Sequence, residues 1–198
     1  MLLRKVTAMR MSRWGKKLIA IGITACVLAA FLFGYLRVNR EYPLAERCVY
    51  TVGDTFTVND LGIQNNGGEL VTVSQLKERF PDAEMPSMIV NGQTLPEEKI
   101  RILLASVRVR TLSETATLSS LYTTGARSGA WCNGMDFDLY LQLNPSLEPD
   151  AEGYYNLVMP YEVYSLQFHD KDWKQIDRRT FELVFSMYPV ENVMRLDA

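Results

Sequence analysis

His169 is the only histidine in the 198-residue chain, so any serine- or cysteine-based hydrolytic site would have to use it as the base. It stands beside Asp170 at the head of a stretch that reads as a short helix. That position makes it a helix-start polar residue first and a catalytic base second. No Gly-x-Ser-x-Gly, His-Glu-x-x-His or phosphate-loop pattern accompanies it. Asp136 and Asp138 lie two residues apart and would share one face of a strand over Phe137–Leu143. Two carboxylates so placed could serve glycoside hydrolysis or hold calcium. With Phe137, Leu139 and Leu141 defining the opposite face, the acids read as the wet face of a half-buried strand. No catalytic, cofactor-binding or metal-binding residue is assigned, and no cofactor is expected.

Cys26 lies inside an apolar run, which leaves Cys48 and Cys132 for the rest of the chain. Two cysteines in an exported domain can pair, and closing so long a loop would stabilise the fold by about 4–5 kcal/mol in the chain-entropy model. A disulfide between them is therefore expected, with Trp131 packed beside it. One histidine and two widely separated cysteines lack the spacing of a zinc site. The C-terminal part is rich in aromatic residues. Phe168, Trp173, Phe181 and Phe185 read as core. Tyr154, Tyr155, Tyr161 and Tyr164 are the candidates for an outer face that binds a protein or a glycan.

The elements that must position these residues are mostly strands. Cys48–Val58 reads as two strand pieces around a Gly53-Asp54 turn, and Asn65-Asn66-Gly67-Gly68 as a turn cluster before a short strand at Leu70–Val73. Ser74–Phe80 suits a short helix capped by Ser74 and stopped by Pro81. Asn91-Gly92 between short apolar runs is the strongest hairpin signal. Lys99–Arg110 and Tyr155–Phe168 are long strand regions whose apolar phase shifts near Leu103-Leu104 and Val163-Tyr164, which suggests bulges. Phe137–Leu143 and Phe181–Tyr188 alternate as strands, Asp170–Ile176 fits a short helix, and Val193–Leu196 a last strand. Seven to nine short strands predict an antiparallel β-sandwich with one or two short helices.

Leu18–Leu36 carries no charge over 19 residues, close to the roughly 20 that span a hydrocarbon core. Residues 1–17 hold six of the 21 Lys and Arg and no acid, so the basic segment is expected in the cytoplasm and the C-terminal part outside. From Arg37 onward 15 basic residues face all 23 acidic ones. An acidic domain argues against a nucleic-acid partner. The expected organisation is a cytoplasmic segment (1–17), a transmembrane helix (18–36) whose partner is the lipid bilayer, a stalk (37–47) and an extracytoplasmic sandwich (48–198). An uncleaved signal anchor is favoured over a cleaved signal peptide. A lipobox-like Ile23-Thr24-Ala25-Cys26 leaves lipidation of Cys26 as an alternative.

The basic start and span, the opening Tyr50-Thr51-Val52-Gly53-Asp54, the central strand Ile100–Arg110 and the closing run Phe181–Pro189 with its Tyr188-Pro189 pair resemble a known group. They are similar to the membrane-anchored, immunoglobulin-like domains of unknown function found on Gram-positive bacterial surfaces. The resemblance implies a sandwich fold and a surface location, and it transfers no catalytic residue. The expected role is a non-catalytic binding or assembly module of the cell envelope, with an unidentified envelope protein or glycan as partner. The alternative is a cell-wall-polymer hydrolase using paired carboxylates.

Overall fold

The computed structural model describes residues 13–196; Arg4, Lys5 and Arg10 of the basic segment lie outside them. The chain forms two compact units that meet in sequence between Leu44 and Ala45. Among the described residues the first unit holds one helix, α1 (Arg13–Glu41). Its stretch Lys17–Glu41 is long and apolar enough to cross a membrane, a property that membrane anchors and signal sequences share. The helix continues to Glu41 and so takes in the first five residues of the segment expected as a stalk.

The second unit is built from β1 (Glu46–Tyr50), β2 (Thr55–Val58), β3 (Leu61–Val71), α2 (Val73–Arg79), β4 (Ile89–Val90), β5 (Gln93–Thr94), β6 (Ile100–Thr111), β7 (Gly125–Ser128), β8 (Trp131–Gly134), α3 (Phe137–Leu143), β9 (Tyr155–Tyr164), α4 (Asp170–Trp173), β10 (Phe181–Ser186) and β11 (Val190–Leu196). Two sheets make a β-sandwich: five strands in the order β1-β11-β10-β7-β8, and four in the order β2-β3-β6-β9. Pairing is antiparallel except that β1 runs parallel to β11, a departure from the all-antiparallel expectation. The Asn91-Gly92 hairpin joins β4 and β5, with both residues at positive φ.

Phe56, Ile63, Val107, Tyr161, Phe181 and Leu196 fill the space between the sheets. Each such burial stabilises by about 1.5–3 kcal/mol. The four-stranded sheet is also covered on its other face. There Ile100, Ile102, Leu104 and Tyr164 pack against Val73 and Leu76 of α2 and Leu139 and Leu143 of α3. This third layer corrects the expected phase slips in β6 and β9. Leu103, Ala105, Val107 and Val109 face one core while Ile100, Ile102 and Leu104 face the other, so β6 keeps its period of two. It also corrects the reading of Phe137–Leu143, which is a helix. Asp136 caps it by accepting from the Leu139 N–H at 3.0 Å. Leu139 and Leu143, four apart, face the outer cluster while Tyr140 turns to the inner core.

One bulge lies in β3, where the pairing with β6 shifts between Asn65 and Gly68, and a second register shift falls in β10 between Val184 and Ser186. The Asn-Asn-Gly-Gly stretch is thus a strand interruption and not a turn. Gly67 takes φ +90°, and a Cβ on Gly68 would sit 3.0 Å from the Leu104 carbonyl oxygen and 3.1 Å from Leu196. The buried Asn65 amide donates to the carbonyls of Tyr50 and Arg195, which ties the bulge to the other sheet. Helix α2 starts one residue before the expected one. Thr72, not Ser74, caps it in a reciprocal capping box with Gln75.

β9 is an edge strand whose outward backbone groups are met by side chains and loop backbone. The Asn144 amide accepts from the Val158 N–H at 2.9 Å and donates to the Val158 carbonyl at 2.8 Å. The Asp136 N–H reaches Pro160 O, Asn133 reaches Glu162 O, and Gln167 accepts from the Tyr164 N–H. Pro160 lacks an N–H and fits an outward-facing edge position. The edge is therefore closed to a further strand over these positions.

Asn144→Asp keeps the acceptor for Val158 but loses the donors to Val158 O and Tyr140 O. The Tyr140 carbonyl keeps the backbone N–H of residue 144, so the unmet buried carbonyl is that of Val158, which predicts a loss of about 1–3 kcal/mol in a urea titration. A change below about 0.5 kcal/mol would mean that the amide does not seal this edge.

Candidate functional site

The candidate site is a groove where the far ends of β8 and β10 meet the segment after β9. Trp131 opens β8 opposite Ser128, and Phe181 opens β10. The groove encloses about 370 Å³ and is lined by Trp131, Leu166, Phe168, His169, Asp172 and Arg179, with Ala130 and Gln167 at its margins. Trp131 stacks on Phe168 with ring centroids 5.8 Å apart and planes 29° from parallel. The Arg179 guanidinium lies 5.3 Å from the Phe168 centroid, donates to Ser128 Oγ at 3.2 Å, and stands 3.9 Å from Asp172. Trp131 is buried and its indole N–H has no acceptor, a donor without a partner in the groove wall. His169 sits at the N-cap of α4, exposed and without a capping bond from its side chain. An aromatic stack beside one cation, one acid and an imidazole suits the binding of a polar ligand with a flat apolar side.

The candidate tyrosine face does not exist as a face. Tyr161 is fully buried between the sheets, where its hydroxyl is 2.8 Å from Thr124 Oγ1, and burial raises its pKa. Tyr164 is buried on the opposite side of β9 and donates to Glu162 at 2.5 Å. Tyr155 packs half-buried against the inner core. The Tyr154 ring is covered by Arg108 at 4.2 Å and Arg110 at 5.3 Å. Successive strand residues point to opposite sides, so Tyr161 and Tyr164 could never share a face.

The expected bridge is not formed: Cys48 and Cys132 are both free thiols. They lie on β1 and β8, the two outer strands of the five-stranded sheet. Four strand spacings put them about 19 Å apart, against the roughly 7 Å limit for a disulfide. Trp131 consequently packs on Phe168 and Phe181 instead of on a bridge.

Asp136 and Asp138 do not form the paired site read from strand spacing, because both belong to the start of α3. The acid that Asp136 approaches is Glu162. Burial raises the Glu162 pKa, and the charge of Asp136 adds to that rise. No cluster of three or more potential metal ligands occurs among the described residues.

The sequence analysis placed Trp131 beside a disulfide, Phe168 in the core and His169 at a helix start, and assigned none of them, nor Asp172 and Arg179, to a binding site. The interleaving of Phe168, His169, Asp170, Asp172 and Trp173 carried a local signal for the groove. Arg179 carried none, because only the fold brings it over Phe168.

One carboxylate gives a pH test. Asp150 accepts from Arg108 at 2.7 Å and from the backbone N–H groups of Glu152 and Tyr154, and these hold its pKa down to about 2. The unfolded value is about 3.9. A depressed pKa contributes stability that is complete above about pH 4 and is lost as the pH falls towards about 2. Asp150→Asn should flatten the stability profile across that window and leave its shape near neutrality unchanged. An unaltered acid limb in urea titrations would contradict the assignment.

A family model described as a domain of unknown function, DUF5028, matches residues 49–192. A solved structure, an uncharacterized beta-sandwich protein from Clostridium difficile 630, is similar over 77% of this chain and 96% of its own, at 12% identity and a TM-score of 0.45. No curated protein matches the chain.

Proposed function

Since the chain belongs to the DUF5028 family, whose description carries no activity, we propose a role from the site itself: a membrane-anchored, non-catalytic binding module of the cell envelope. The helix α1 is the anchor, held in the bilayer with its basic end in the cytoplasm, and the sandwich works outside. The ligand is an envelope protein or glycan. The observation that carries this reading is the open groove of Trp131, Phe168, His169, Asp172 and Arg179. It joins aromatic surface to groups that donate and accept hydrogen bonds, and it lies at the end of the five-stranded sheet opposite the start of β1. A ligand there meets the domain at its far end from the anchor attachment.

The hydrolase reading retains one supporting observation, the raised pKa of Glu162 beside Asp136. It would place the proton-holding acid on β9, away from the groove.

The test is retention of envelope proteins and wall polymers by the full chain in detergent. His169→Ala and Asp172→Asn change exposed or half-exposed side chains and should leave the fold intact. Together they should weaken retention of the captured component by about tenfold or more, the equivalent of 1.4 kcal/mol. Unchanged retention would remove the groove from the function. Hydrolysis of wall polymer that vanishes in Glu162→Gln would replace binding with catalysis.

A further inference from the structure

The opposite end of the five-stranded sheet carries a different surface. Glu46 at the start of β1 pairs with Val190 at the start of β11. That same end holds the β10–β11 turn, the start of β7 at Gly125 and the end of β8 at Gly134. At the turn, Met187 is 70% and Tyr188 58% exposed, far from the burial normal for large apolar side chains. Behind them opens a groove of about 530 Å³ whose lining includes Tyr122, Phe185, Met187 and Cys132 and is more apolar than polar. The surface bears no ion pair among the described residues: the nearest network, Arg47 and Arg127 with Glu182 and Glu191, lies on the sheet's outer face.

What covers this end follows from chain length. Only Tyr42–Ala45 separates the end of α1 from the start of β1. Five residue steps span at most about 18 Å. Wherever α1 ends at a bilayer surface, the β10–β11 turn beside Glu46 is leashed within a short distance of it. Tyrosine and other amphipathic or apolar side chains at that depth favour the headgroup layer.

We propose that this end of the sandwich is a lipid-contact surface: Met187 and Tyr188 seat in the headgroup layer of the membrane that holds α1. The inference rests on the anchor reading above.

The test uses the full chain in vesicles of phosphatidylcholine and phosphatidylglycerol, with Cys26, Cys48 and Cys132 replaced by serine. A fluorophore is attached through Met187→Cys, and in separate preparations through Tyr188→Cys and through Ala130→Cys at the exposed β7–β8 turn of the other end. Vesicles with a nitroxide on the lipid headgroup should quench the labels at 187 and 188 roughly threefold more than the label at 130. If the chain floats with the vesicles but all three labels are quenched alike, the lipid contact is overturned and the anchor stands. If the chain does not float with vesicles, the anchor reading fails and the inference falls with it. Two labelled positions guard against one substitution disturbing the turn.

Discussion

The rest of the domain depends on the burial of β9 from three directions. Its inner face, through Leu157, Met159, Tyr161 and Val163, packs between the sheets, and its outer face meets α3 through Val158 and Tyr164. Its open edge is met by Asn144, Asn133 and Gln167. Each unmet backbone group at such depth would cost about 1–3 kcal/mol, which offsets the burial of about one apolar side chain. The asparagines therefore decide where α3 and β8 must lie. Those two elements in turn place Trp131, which lines the candidate groove, and Asp136, which meets Glu162.

Much of this was legible in the sequence. The apolar helix, the Asn91-Gly92 hairpin, the long central strand and the sandwich class all followed from local periodicity and turn chemistry. The misread elements β6, β9 and Phe137–Leu143 share one cause: a third layer that no local pattern announces. Two-sided burial made β6 and β9 look as though they slipped phase. It also let Phe137–Leu143 satisfy a strand alternation while folding as a helix, since Leu139 and Leu143 serve both periods. The Asn-Asn-Gly-Gly stretch has turn composition, yet the same glycines serve a bulge where two sheets approach closely. The Cys48–Cys132 pairing failed for a topological reason, because strand order cannot be read from strand content. The candidate groove was not legible: Trp131 and His169 carried structural readings, and Arg179 joins them only through the fold.

The two ends of the five-stranded sheet are chemically distinct. One gathers an aromatic stack, an imidazole, an acid and a guanidinium around a groove. The other exposes Met187 and Tyr188 beside the point where the chain enters from α1. A strand seven residues long, such as β11, holds these ends about 20 Å apart. The proposed lipid contact and the proposed ligand groove therefore fall on separate surfaces.

The claim that side chains seal β9 is tested most directly by residue-resolved amide hydrogen exchange. The Val158 and Tyr164 N–H groups point away from β6 and are held only by Asn144 and Gln167. They should exchange as slowly as the inward amides of the same strand, at rates set by global unfolding. Exchange at the rate of an open strand edge would mean that the side chains do not close the sheet, and the account of how the groove is positioned would fail.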